Sequence, residues 1–152
     1  AGTGATVGTI NGPDGMSPGG IGSASVHVEE ATVGALVVLN AVGDVFDLSG
    51  SRLTGSGDTT WSGPDSGFAP NTTLIAIATD AAIDDRNELR RMAVRSHDAL
   101  GATVRPAHTR YDGDSCFVVA GGRAHADIDQ LVEAAFTVTA TAIVNAILDA
   151  QP

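Results

Sequence analysis

Apolar and polar positions alternate along Ile21–Glu29. Ile21, Ser23, Ser25, His27 and Glu29 point one way, and Gly22, Ala24, Val26 and Val28 the other. A period of two predicts a strand with one buried face. A short apolar stretch, Ala5–Ile10, predicts a strand before it, and the run TVGALVVLNAV at Thr32–Val42 predicts a strand buried on both faces. Residues 48–70, LSGSRLTGSGDTTWSGPDSGFAP, then break the pattern with Gly, Ser, Thr, Asp and Pro, and read as a loop. Loops of that length inside a compact domain are uncommon and often functional. The loop ends abruptly at Asn71-Thr72-Thr73, where LIAIA predicts a core strand.

Two helices follow from a period near 3.6. The first is predicted over Asp85–Leu100, with Asp85 and Glu88 as a capping box and Gly101 as the C′ glycine. Leu89, Met92, Ala93, Ser96, Ala99 and Leu100 share its apolar face, while Arg86, Arg90, Arg91 and Arg95 lie mostly elsewhere and read as solvated. A turn at Asp112-Gly113-Asp114 then leads into a strand at Ser115–Ala120. The second helix spans about Asp127–Ala150, with Asp127 and Gln130 at its start, and is apolar nearly all round from Ala134 onward. Such a helix is buried on several sides. Strands, a loop, then strand, helix, strand, helix imply a single α+β layered domain.

Charge and cysteine usage narrow the classes. Eight basic residues, all Arg, against 18 acidic ones give −10, a balance that repels phosphate backbones and argues against nucleic-acid partners. No run of about 18 consecutive apolar residues is present, so no membrane partner is expected. Cys116 is the sole cysteine; it excludes an intrachain disulfide and fits a reducing, cytoplasmic setting. His27, His97, His108 and His125 show no metal-ligand spacing, and neither a metal nor an organic cofactor is expected. The chain opens at Ala1 in a Gly-rich apolar stretch, which reads as the C-terminal part of a longer precursor.

Three features carry candidate chemistry. A threonine hydroxyl is a poor nucleophile unless a base adjoins it, and an N-terminal threonine carries its own base in the α-amine. A cut between Asn71 and Thr72 creates that arrangement, although Asn-Thr-Thr before a strand is also an ordinary strand start. Asp112 and Asp114 can orient an amine by charge-assisted hydrogen bonds or stand as solvated turn residues. Asn40, ending an apolar strand, is either an exposed terminus or a fixed donor for an oxyanion. The segments GTGATVG and PGGIGSAS do not run from strand into helix and read as turns. Cys116, inside DSCFVVA, reads as a small core residue rather than a nucleophile beside His108.

These features occur together in one family. The block NTTLIAIATDAAIDDRNELRRMAVRSHDALGATVRPAHTRYDGDSCFVVA, with AGTGATVG, GGIGSAS and LVVLNAVGD, resembles the DmpA family of self-processing aminopeptidases and amidases, peptidase family S58. The resemblance implies an αββα sandwich of the type shared with ornithine acetyltransferases, an N-terminal-nucleophile-like fold. It implies cleavage after Asn71, with residues 1–71 ending an α-chain and residues 72–152 forming a β-chain. It further implies Thr72 as nucleophile, Asn40 at the oxyanion, Asp112 and Asp114 near the nucleophile, and homo-oligomers of αβ units. Members commonly carry lysine where Thr9 and Pro18 stand here. The expected function is amide hydrolysis on a small peptide, a β-peptide or an ω-amino-acid oligomer, as in the nylon-oligomer hydrolases. The alternatives are an acyltransferase using the same threonine and a catalytically inert family member.

Overall fold

The computed structural model describes residues 3–55 and 71–150; most of the loop expected at 48–70 therefore lies outside the described residues. In chain order the elements are β1 (Thr6–Val7), β2 (Ser17–Pro18), β3 (Gly20–Val28), β4 (Ala31–Leu39), β5 (Asp44–Val45), β6 (Leu74–Ala81), α1 (Arg86–Thr103), β7 (Val104–Arg105), β8 (Ser115–Ala124) and α2 (Ile128–Leu148). Two 3-10 turns, Thr9–Asn11 and Pro13–Gly15, follow β1. The main sheet runs β3-β4-β6-β8, while β1 pairs with β2 and β5 with β7. Pairing in the main sheet is antiparallel except between β6 and β8, which are parallel. A parallel pair needs a crossover connection, and here α1 lies within it.

Both helices pack together against one face of that sheet. Alternate residues of β4 (Val33, Ala35, Val37, Leu39) and β6 (Ile75, Ile77) meet Met92 and Leu100 of α1 and Leu131, Ala135, Val138 and Ile143 of α2 in one core. At Gly22 the sheet and α2 come so close that an added Cβ would run into the Ala142 carbonyl and the Ala146 backbone. Small residues on both sides let the backbones approach. By length and composition α2 is apolar enough to cross a membrane; its apolarity is used instead on the β3–β4 side of the sheet and on α1.

Among the described residues, neither helix covers the other face of the sheet. Leu36, Leu74, Phe117 and Val119 are 42–64% exposed on it, and the register sets Leu36, Ala76 and Phe117 side by side across three strands. Thus β4, expected to be buried on both faces, is buried on one; an apolar run marks a strand destined for two contacts without showing which are made within these residues.

Other local expectations shift as well. The first strand ends at Val7, where Gly8 turns the chain at φ 71. Helix α1 passes through Gly101 to Thr103 and is capped at Val104, because the chain enters β7 directly. Asp85 caps its start by accepting from Asn87 N, not through a box with Glu88. Asp127 caps α2 by accepting from Gln130 N, as the spacing predicts. Arg91 and Arg95 are not simply solvated: Arg91 bridges Glu88 to Asp129 and Arg95 bridges Asp98 to Glu133, joining the helices at their surface.

Candidate active site

The parallel register brings two distant segments to one edge of the sheet. Leu74 pairs with Ser115, and an isolated parallel bridge continues the alignment to Asn71 and Asp112. Thr72 therefore lies beside Gly113. The Asp112-Gly113-Asp114 segment is not itself the reversal; the turn closes one step earlier, where Asp112 N–H donates to the Thr109 carbonyl at 3.0 Å.

Asn71 N–H donates to the Tyr111 carbonyl, 2.9 Å, and its own carbonyl accepts from Gly113 N–H, 2.9 Å. The Thr72 hydroxyl donates to the Gly113 carbonyl at 2.7 Å. Thr73 N–H donates to Asp114 Oδ1 at 3.0 Å, and the Thr73 carbonyl accepts from Ser115 N–H, 3.0 Å. Both sides of the Asn71–Thr72 peptide are thus held by the same short segment. Asn71 Nδ2 also donates to Thr9 Oγ1 at 3.3 Å, so Thr9, one of the two positions where the family resemblance leads one to expect lysine, touches Asn71.

The two aspartates do different work. Asp112 Oδ1 accepts from Val42 N–H, 3.1 Å, tying the end of the β4 segment to this edge. Its Oδ2 accepts from the Thr109 hydroxyl and backbone N–H, 2.7 and 3.0 Å. Asp114, 5% exposed, places its second oxygen 2.9 Å from His108 Nδ1. His108 stands at φ 54, a left-handed conformation that costs a non-glycine residue energy. Its Nε2 lies 3.2 Å from the His97 carbonyl, and its ring centroid is 5.0 Å from that of His97. Burial, and then the neighbouring His108, pushes the His97 ring below the ordinary histidine range.

Asn40 approaches from the other side. The antiparallel β4–β6 register ends at Val38 and Leu74; continued by two residues, it sets Asn40 across from Thr72. Asn40 Oδ1 accepts from Thr6 N–H at 3.1 Å, which fixes the orientation of the amide and leaves its NH2 as a donor. Thr72, in step with Leu74 and Ala76, belongs to the face of the sheet that the helices leave uncovered.

Of the residues singled out from the sequence, Thr72, Asp112 and Asp114 meet at one edge, while Asn40 follows the end of β4 and is bonded to Thr6. Sequence reasoning passed over His108, Thr109 and the backbone of Gly113. The only available signal was their position in the HTRYDGD run. Cys116 is half-buried and packs on the core, and burial raises its thiol above the usual range, as suits a structural residue. Among the described residues no group of His, Cys, Asp and Glu has the makings of a metal site. A groove of about 380 Å³ along α1 and α2 is lined by Arg90, Val94 and Glu133 among others, and holds no nucleophile.

A mixed four-stranded sheet with both helices on one face is the arrangement this chain shares with a solved structure of the Ntn hydrolase fold. The chain belongs to peptidase family S58, which it matches over residues 1–152. It is 38% identical over 142 aligned residues to an uncharacterized aminopeptidase of Mycobacterium leprae, covering 83% of this chain and 37% of that protein. A Mycobacterium tuberculosis relative with the same description is 36% identical over 129 residues, covering 71% and 37%. Among solved structures, the L-aminopeptidase D-Ala-esterase/amidase of Ochrobactrum anthropi, described as a variant of the Ntn hydrolase fold, superposes with a TM-score of 0.64 at 25% identity, covering 88% and 41%. A β-aminopeptidase of Burkholderia gives 0.59 at 27%, covering 85% and 41%. The chain spans less than half the length of these relatives.

Proposed function

We propose that this chain forms part of a self-processing amide hydrolase in which Thr72, freed by a cut after Asn71, is the nucleophile. The observation that carries the reading is the clamp around the Asn71–Thr72 peptide: one segment, Tyr111–Asp114, holds the backbone on both sides of the bond and the hydroxyl beside it.

In the mature site the Thr72 hydroxyl attacks an amide carbonyl, and its own α-amine takes the proton and returns it to the leaving amine. The Asn40 NH2 supports the oxyanion. Asp114 keeps the new terminus in place through Thr73 N–H. Water then releases the acyl group from Thr72. Residues 1–71 end one product chain and residues 72–152 form the other, within oligomers of such pairs. The negative charge of Asp112 and Asp114, although both carboxylates are engaged internally, favours substrates with a free amine near the scissile bond, such as small peptides or ω-amino-acid oligomers. A cytoplasmic setting suits a chain whose sole cysteine serves the core.

Intact-mass measurement of the purified full protein tests this. The expected result is two pieces divided between Asn71 and Thr72, release of aminoacyl p-nitroanilide by the cut form, and loss of both in Thr72→Ala. A single uncut mass with no amidase activity overturns it.

A further inference from the structure

We infer that the backbone of Gly113 is part of the cleavage machinery: its N–H is the oxyanion donor for the Asn71 carbonyl, and its carbonyl aligns the Thr72 hydroxyl. The inference rests on the proposed self-cleavage and assigns a group to it.

The geometry is specific to the two atoms that must react. The Asn71 carbonyl carbon is the electrophile of the cut, and its oxygen already receives Gly113 N–H at 2.9 Å. The Thr72 hydroxyl is the nucleophile, and it already donates to Gly113 O at 2.7 Å. A Cβ at position 113 would stand 3.0 Å from Thr72 Oγ1 and 3.7 Å from the Asn71 oxygen. Glycine thus lets one residue's backbone touch nucleophile and electrophile together. A plain continuation of the β6–β8 ladder accounts for the N–H bond alone; it does not account for the hydroxyl seated on the same residue's carbonyl.

The chemistry balances with water as the only co-reactant. Thr72 Oγ bonds to the Asn71 carbonyl carbon, and the C=O π electrons move onto the oxygen, which Gly113 N–H stabilises without giving up its proton. The C–N bond then breaks, and the hydroxyl proton reaches the departing nitrogen through a water molecule, leaving an ester between Asn71 and Thr72 Oγ and a free amine. A second water hydrolyses that ester, returning a proton to Oγ and leaving Asn71 a carboxylate. Gly113 O is not the base; it aligns the hydroxyl until the proton departs. Once Asn71 has left, the same N–H is available to an acyl group carried on Thr72 by a substrate, with the Asn40 amide on the opposite side.

The test replaces the Asp112–Gly113 amide in the full protein by an ester, with glycolic acid at position 113, which deletes the N–H and keeps the size of the residue. Self-cleavage is expected to slow by about 100- to 1000-fold, the usual loss for one oxyanion donor. The control is an ester at Ser115 with its side chain retained: its N–H makes a ladder bond to the Thr73 carbonyl and faces no reacting atom. That chain should cleave within about tenfold of the parent, and both ester chains should keep the parent's circular dichroism. Equal slowing of the two, or no slowing at position 113, overturns the inference while self-processing stands. A parent chain that never cuts overturns both.

Discussion

Thr73, one residue past the proposed nucleophile, is fully buried, and its Oγ1 has no hydrogen-bond partner among the described residues. Its backbone is fully engaged, with the N–H on Asp114 and the carbonyl on Ser115, so the side chain is the unsatisfied part. A buried hydroxyl left unpaired costs about 1–3 kcal/mol. Thr73→Val keeps the branched shape and deletes the oxygen. It should hold the urea midpoint level or raise it by the equivalent of about 1 kcal/mol, and leave Thr72 positioned to cut. A loss of stability above about 1 kcal/mol would mean that the hydroxyl is satisfied in solution. Thr73 and Gly113 also show why the site was only partly legible in the sequence. Thr72, Asn40, Asp112 and Asp114 carry recognisable side-chain chemistry, whereas the contribution of Gly113 is a peptide group, and sequence patterns carry no information about where a peptide group points. His108 shows no metal-ligand spacing in the sequence, and its partner, Asp114, is reached through a left-handed kink rather than along a strand or helix period.

Elements with one dominant period were read well. β3, β6, α1 and α2 begin within one residue of their expected starts, because alternation or the 3.6-residue stripe there reports a single sheet–helix core. The misreadings came where a local signal met a tertiary demand. Gly101 looks like a helix end but is an exposed position in a helix that must reach β7. The apolar face of β4 that is not covered by helices looks buried because its residues suit a second contact. Packing of helix on sheet is close where α2 lies on β3. Gly22→Ala forces α2 away from the sheet at Ala142 and Ala146; overpacking of this kind costs about 1–3 kcal/mol. The midpoint of urea unfolding should fall accordingly with an unchanged slope. An unshifted midpoint would show that α2 is free to move outward at no cost.

At the scale of the whole molecule two features set what the chain can do. The outer face of the sheet, from Leu36 to Val119, sets large, substantially exposed apolar side chains side by side, in keeping with a sandwich whose second layer packs there. Thr72 lies at the end of that face, so the layer covering it would also wall the site. The second feature is the parallel pairing of β6 with β8. Residues 71–73 and 112–114 meet only after α1 has carried the chain across, so the clamp does not exist in a nascent polypeptide that has emerged only as far as α1. On the proposed self-processing, the cut waits for this pairing: the bond after Asn71 stays inert until the stretch at Asp112, made some forty residues later, docks against it. Ribosome-stalled chains released only through Arg110 should stay whole, and chains released beyond α2 should divide. Scission before β8 has emerged would sever that dependence. A chain that matures in this way cannot arm itself half-made, and the proposed scission would certify that the crossover had closed.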